Sequence, residues 1–296
     1  MIERYNSMNT KFIAEVSSNH NADFNRCLDF VHTASRIGCY GIKFQYFKID
    51  KLFHSSALKA KPELGERSTW ELPLEFLRII ADECKEYNLK LGVTPFDVKG
   101  VKDIERYVDF YKVASYNLLD TRLLANIAST GKPIVIATGM ASLPEVNAAV
   151  EVIKNNIWHG PITILHCVSD YPTNYYDCNL RAIETLRQVT MCNVGWSDHT
   201  VNNMVIERAI NYWQASMIEF HLDLDGNGKE YQKGHCWLPH EIHKVIHGIS
   251  LDTAMDGDGI KQPRPCELEE RLWRADPSDG LRPLLKKRAE LIYNTD

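Results

Sequence analysis

The sequence predicts a (β/α)8 barrel, an α/β fold, and three observations predict it. Short apolar runs alternate with longer amphipathic ones eight times within residues 1–255. The short runs are near-continuously apolar, as expected of parallel strands buried on both faces. Breakers such as Gly38, Gly131-Lys132-Pro133 and Gly160-Pro161 separate the helix-like stretches from the strands after them. An open doubly wound sheet is the competing arrangement, but eight units in this span exceed what it normally uses.

In chain order, the strand at residues 12–16 leads to a helix at 23–37, and the strand at 40–44 to a helix at 73–87. Strands at 90–94 and 110–114 precede helices at 101–107 and 121–129. Strands at 133–137 and 162–166 precede helices at 143–154 and 180–188. The last two strands, 193–196 and 216–220, precede helices at 202–212 and 239–249. Beyond residue 255 the alternation stops. Asp256-Gly257-Asp258-Gly259 reads as a turn, four prolines (263, 265, 277 and 283) punctuate the remaining chain, and a basic helix is predicted at 284–291. The catalytic barrel is therefore 1–255. Residues 256–296 form a tail, too small for an independent domain and expected to dock on the barrel. Arg271, Arg274, Arg282 and Trp273 give that tail a dense set of anion-binding and stacking groups.

Composition narrows the function classes. The 296 residues are 44% hydrophobic and 25% charged, which excludes disorder and low-complexity architectures. The formal charge of −5 gives no bulk attraction to nucleic acid or an anionic membrane surface. No apolar run reaches the roughly 18 residues of a membrane span, and residues 1–7 lack a signal-peptide pattern. Eight cysteines without a Cys-x-x-Cys pair indicate free thiols in a reducing cytoplasm.

In such a barrel, chemistry gathers at the C-terminal ends of the strands. Glu15 with Ser17, Ser18, Asn19 and His20 ends the first strand; Lys43 and Gln45 end the second, and Thr94 the third. Lys112 and Ser115, Thr138, then His166 with Ser169 come next, and Ser197-Asp198-His199 and Glu219 with His221 complete the ring. A single Lys or Glu in an apolar run is as readily a structural ion pair. Eight polar strand ends are harder to read that way. Lysines and hydroxyls with little nearby acid suit a phosphate or carboxylate, and two imidazoles from adjacent strands suit a divalent metal.

Other motifs read as structural. His240, His243 and His247 form an exposed helix face without the spacing of a zinc protease. Asp223, Asp225, Asn227 and Gly228 mimic a calcium loop, but Gly234 stands where that loop needs Glu. Trp196 and Trp237 are the tryptophans expected to touch ligand, and Cys167 reads as a small buried hydrophobe.

Ala14-Glu15-Val16-Ser17-Ser18-Asn19-His20 resembles the opening strand of the sialic acid (N-acetylneuraminate) synthase family. Lys43-Phe44-Gln45, Thr94-Pro95-Phe96-Asp97, Tyr111-Lys112-Val113-Ala114-Ser115 and Ala137-Thr138-Gly139-Met140 continue the resemblance in order. So do His166-Cys167-Val168-Ser169-Asp170-Tyr171-Pro172-Thr173, Gly195-Trp196-Ser197-Asp198-His199-Thr200 and Glu219-Phe220-His221, so that it covers residues 11–250. The resemblance implies condensation of phosphoenolpyruvate with an open-chain aldose, giving a 2-keto-3-deoxy sugar acid and phosphate. It implies that His199 and His221 hold Mn2+ or Mg2+ and that Glu15 is a general base for the attacking water. Lys43, Thr94, Lys112, Ser115, Ser169 and Ser197 would grip phosphoenolpyruvate, with Gln45 beside them in the substrate site, and a homodimer is the assembly that the family suggests.

The acceptor side departs from the family's pattern. There is no room before Asp296 for the family's antifreeze-like domain. Tyr116-Asn117 replaces an acidic residue two positions after Ser115, and Gly234-His235-Cys236 replaces a Gly-x-Asp/His segment. The acceptor is therefore not assigned to N-acetylmannosamine. A Schiff-base aldolase using Lys43 or Lys112, a metal hydrolase using His166, His199 and His221, and a non-catalytic sugar-phosphate-binding relative are the alternatives.

Overall fold

The computed structural model describes residues 10–156, 160–256 and 259–293. The reading of residues 1–7 and the turn centred on 257 and 258 lie outside the described residues. Within them, eight parallel strands close into a barrel through pairing of the first with the eighth. The strands are β1 (Lys11–Glu15), β2 (Gly41–Tyr46), β3 (Lys90–Pro95), β4 (Phe110–Val113), β5 (Ile134–Ala137), β6 (Ile162–His166), β7 (Asn193–Asp198) and β8 (Met217–Leu222). A two-residue β9 (Cys236–Trp237) adds to β8 in parallel.

The helix between β1 and β2 is α1 (Phe24–Arg36), and three short pieces come after β2: α2 (Ile49–Leu52), α3 (Ser55–Ala60) and a 3-10 turn at Pro62–Trp70. Then come α4 (Leu74–Glu86), α5 (Val98–Ile104), α6 (Thr121–Ser129), α7 (Leu143–Lys154), α8 (Ala182–Thr190) and α9 (Asn203–Asn211). After β8 lie α10 (Lys229–Gln232) and α11 (Pro239–Asp256). Side-chain caps define several starts. Asp23 accepts from Arg26 N, Asp97 from Gly100 N and Asp120 from Leu123 N, while Ser142 and Glu145 form a capping box. Asp97 explains why α5 begins at Val98, ahead of the predicted 101.

Alternation along each strand divides the core in two. Outward residues such as Phe44, Val93, Ile136, Trp196 and Phe220 pack in the layer shared with the helices. Inward, Ile13, Phe110, Val135, Leu165 and Met217 fill the barrel floor. That floor has room for the Phe110 ring only because its register partner on β3 is Gly92: a Cβ there would lie 2.2 Å from Phe110 Cζ. Above the floor the inward residues turn polar.

The chain divides into two compact units, Met1–Asp252 and Thr253–Asp296. The second contains α12 (Leu268–Arg271) and α13 (Leu285–Tyr293). Asp276 organises it by accepting from Ser278 N at 3.0 Å and Leu285 N at 2.8 Å. Arg288 pairs with Asp279 and donates to Pro283 O at 2.7 Å. Among the described residues no helix is long and apolar enough to cross a membrane.

Candidate active site

The polar layer begins where β1 and β2 run in register, Glu15 beside Lys43. Their side chains form a buried ion pair, and Lys43 Nζ also reaches Thr94 Oγ1 at 3.2 Å. Gln45 donates to the other oxygen of Glu15 at 2.8 Å. Across the barrel, Glu219 accepts from Lys112 at 3.2 Å and Ser197 Oγ at 2.9 Å, with Lys43 3.8 Å away. Burial pushes the Glu219 carboxyl up, but Lys112, Lys43 and Ser197 overcome it and hold the group at about 2. Desolvation disfavours charged Lys43, yet Glu15 and Glu219 raise its pKa overall. The expectation of little acid near the lysines is thus corrected: Glu15 and Glu219 point into the same interior. That environment opposes a Schiff-base role for Lys43, which needs an easily deprotonated amine.

A second group of atoms lies on the neighbouring rim. Gly139 N donates to Ser115 Oγ at 3.0 Å, and Ser115 Oγ contacts Cys167 Sγ at 3.4 Å. Ser169 Oγ is buried without a hydrogen-bond partner. A Cβ on Gly139 would come within 2.2 Å of Ser169 Oγ and 3.0 Å of Ser115 Oγ, so the cradle requires glycine there. Thr138 spends its hydroxyl on Leu165 O at 3.1 Å and is structural.

The imidazoles meet at the ends of β7 and β8. His199 Nδ1 donates to Val168 O at 2.7 Å and His221 Nδ1 to Glu230 Oε2 at 3.0 Å. The two rings stand 5.4 Å apart. Burial, with His221 nearby, lowers His199 to about 3, so it is neutral at ordinary pH. Burial disfavours the His221 imidazolium, but Cys236 and Glu230 raise its pKa well above the usual range. A hydrogen bond at one ring nitrogen is how metal-binding histidines are oriented; neutral His199 presents a lone pair on Nε2, and His221 offers one on releasing its proton. The donors present therefore fit a divalent cation.

The residue before His199 is Asp198, on the outward side of β7. The carboxylate of Asp198, fully buried, accepts from the indoles of Trp196 at 3.1 Å and Trp237 at 3.0 Å, and from Thr200 Oγ1 at 2.7 Å. This corrects the expectation for the two tryptophans: they serve Asp198 within the core rather than the mouth. His166 is also corrected. It comes after inward Leu165, so it faces outward, bonds Cys178 O at 2.9 Å and packs on Trp196. A hydrolase built on His166, His199 and His221 is not assembled.

Three residues beside the pair escape the strand-end reading. Glu230 lies on α10, and its second oxygen accepts from Ser17 Oγ at 2.6 Å and Ser18 Oγ at 2.9 Å. His235 and Cys236 enter with β9, where Cys236 is the register partner of His221. Their only signal in the sequence is the departure at Gly234-His235-Cys236. Tyr171 covers the group, its ring 4.2 Å from His199 and 5.1 Å from His235. The calcium-like acids are instead tied to the β1 loop: Arg26 bonds Asp223 at 3.0 Å, Asp225 at 2.9 Å and Asn19 O at 2.6 Å.

Comparison with known proteins agrees with this geometry. The chain is 35% identical over 271 residues to an uncharacterized protein of Methanocaldococcus jannaschii, covering 88% of this chain and 76% of that one. It is 31% identical over 282 residues to the N,N'-diacetyllegionaminic acid synthase of Legionella pneumophila, covering 90% and 79%. Among solved structures it is similar to the N-acetylneuraminic acid (sialic acid) synthetase of Leptospira borgpetersenii in complex with citrate, with a TM-score of 0.76, 28% identity, and coverage of 88% and 90%. The NeuB family model matches residues 30–261, and it is to the NeuB family that this barrel, with its strand-end lysines, hydroxyls and paired imidazoles, belongs.

Proposed function

We propose that this chain condenses phosphoenolpyruvate with an open-chain aldose to give a 2-keto-3-deoxy sugar acid and inorganic phosphate. The observation that carries the reading is a cationic, hydroxyl-lined interior placed beside two buried imidazoles whose rings are each fixed by a hydrogen bond at Nδ1. Lys43, Lys112, Thr94, Ser197, Ser115 and Ser169 hold the carboxylate and phosphate. The unpartnered Ser169 Oγ and the Gly139 cradle suit an anion's oxygens. His199 and His221 would hold a divalent cation, which the family's pattern gives as Mn2+ or Mg2+ and which would polarise the aldehyde oxygen.

Carbon–carbon bond formation joins C3 of phosphoenolpyruvate to the aldehyde carbon, and the aldehyde oxygen, left as an alkoxide, becomes a hydroxyl by taking up the proton that the added water gives up through Glu15. Water then adds to C2. Glu15, held by Gln45 and Lys43, takes the proton from that water. The C2–O bond to phosphate then breaks, the departing phosphate carries off the proton of the C2 hydroxyl, and the ketone is left. Lys43 and Lys112 stay protonated beside the departing phosphate and stabilise its charge. Tyr171 keeps bulk water from the imidazoles.

The test is phosphate release on mixing the protein with phosphoenolpyruvate, a divalent cation and a panel of aldoses and N-acetylated aldoses. Release that depends on both the aldose and the cation is expected. No release with any aldose, together with no phosphoenolpyruvate binding by calorimetry, overturns the reading.

A further inference from the structure

The two-histidine pair does not account for Glu230, His235 and Cys236. One ligand atom from each of His221, Glu230, His235 and Cys236 lies within 4.8 Å of the others. Ligands of a tetrahedral zinc-like ion at about 2.0–2.3 Å stand about 3.3–3.8 Å apart, so small side-chain shifts bring these four atoms around one ion. The set comes from three elements. His221 ends β8, Cys236 is its register partner on β9, His235 precedes Cys236, and Glu230 reaches in from α10. Glu230 Oε2 is 3.0 Å from His221 Nδ1 and 3.6 Å from His235 Nε2.

A further observation points to an ion: each non-imidazole donor has outer support. Asn19 Nδ2, anchored on Leu222 O at 2.9 Å, contacts Cys236 Sγ at 3.6 Å, and Ser17 and Ser18 hold the far oxygen of Glu230. Hydrogen bonds of this kind orient metal ligands.

We propose that His221, Glu230, His235 and Cys236 form a four-ligand centre for a thiophilic divalent cation of the Zn2+, Co2+ or Fe2+ class. The inference rests on the metal dependence of the proposed synthase and deepens it by naming further donors around His221 and, from them, the ion's class; His221 then binds through the Nδ1 that donates to Glu230 when no ion is bound. A thiolate and two imidazoles bind such ions in preference to Mg2+, whose ligands are oxygens. Binding converts the Cys236 thiol to thiolate and releases its proton to solvent, with no change of oxidation state.

The test reads the metal and not turnover. The full chain is stripped with a chelator and titrated with Co2+. One equivalent is expected to produce visible bands of a four-coordinate ion and a near-ultraviolet thiolate-to-cobalt band. Zn2+ should abolish both bands at one equivalent, while millimolar Mg2+ leaves them. Cys236→Ser should lose the near-ultraviolet band and bind Zn2+ at least tenfold more weakly, with His235→Gln weakened to a similar degree. Cys167→Ser, altering another buried thiol at the mouth, should retain the band. Stoichiometric Co2+ without a thiolate band in the folded wild-type chain overturns the proposal. So does unchanged Zn2+ affinity in both Cys236→Ser and His235→Gln. Phosphate release supported by Mg2+ in a protein lacking the thiolate band would sink this centre and leave the synthase reading standing.

Discussion

Glu15 and Lys43 are register partners on β1 and β2 and close a buried ion pair inside the barrel. With Glu219 and Lys112 opposite, two carboxylates and two ammonium groups share one buried interior, so the lysines are held and oriented before any substrate arrives. Removing one partner from such a set costs more than the pair itself contributes, because a charge is left buried and alone.

Lys112→Met tests this balance. Charge-assisted bonds to an anion contribute about 1.5–3 kcal/mol, so phosphoenolpyruvate should bind tenfold or more weakly by calorimetry. Stability should fall as well, by about 3–5 kcal/mol, because Glu219 loses its nearest cation. Adding Glu219→Gln should recover much of that stability in denaturant melts without recovering affinity. Recovery of neither or of both would contradict the arrangement.

Asp198 predicts a different kind of loss. Its carboxylate accepts from two indoles and Thr200, so Asp198→Ala leaves two buried indoles and a half-buried hydroxyl without an acceptor. A destabilisation of about 2–4 kcal/mol is expected from urea unfolding. Asp198→Asn should cost less but still loosen His199, read as weaker divalent-cation binding in a folded protein. Unchanged cation affinity in Asp198→Asn would separate Asp198 from the site.

Much of the site is legible in the sequence because the barrel imposes a simple rule. Inward residues alternate with outward ones and the strands end at one face, so eight apolar runs locate Glu15, Lys43, Thr94, Lys112, Ser197 and His221 together. The same rule misplaces His166 unless its phase is known: one residue decides whether a strand end faces the lumen, and Leu165 takes the inward position. The aromatic pair Trp196 and Trp237 misleads for a related reason, since a sequence does not show that both indoles converge on one carboxylate. Glu230, His235 and Cys236 are hidden further. They lie on or beside a four-residue helix and a two-residue strand, each too short to carry a hydrophobic period.

His20 gives the pH dependence. Its Nδ1 accepts from Ala22 N at 2.9 Å and its Nε2 is buried, so the ring is neutral. Burial lowers its pKa from 6.5 to about 4, against a smaller upward pull from Glu230. Below 6.5 the unfolded chain takes up a proton that the folded chain refuses. Stability is therefore lost as pH falls from 6.5 toward 4, by about 3 kcal/mol at most from this residue. His20→Gln should show a shallower decline between pH of about 7 and 4.5 in urea melts. Parallel pH profiles for the two proteins would exclude His20 as the cause.

Gly139→Ala separates binding from folding most cleanly. The added methyl meets Ser169 Oγ at 2.2 Å and Ser115 Oγ at 3.0 Å, and Cys167 Sγ at 3.3 Å. Each of these is a side-chain terminus that can rotate away, so the barrel should remain folded, with stability reduced by about 1–3 kcal/mol for local overpacking. Gly195→Ala is the contrast. Its methyl would lie 2.2 Å from the backbone oxygen of Met217, which cannot rotate, so strand β7 must shift and the loss of stability should be larger. If the Gly139 cradle holds phosphate, Gly139→Ala displaces two of its hydroxyls and should weaken phosphoenolpyruvate by tenfold or more, while Co2+ binding at the imidazoles is untouched. Equal losses of phosphoenolpyruvate and Co2+ would mean that the methyl disturbs the whole mouth. Wild-type phosphoenolpyruvate affinity in the folded variant would remove Ser115 and Ser169 from the anion site.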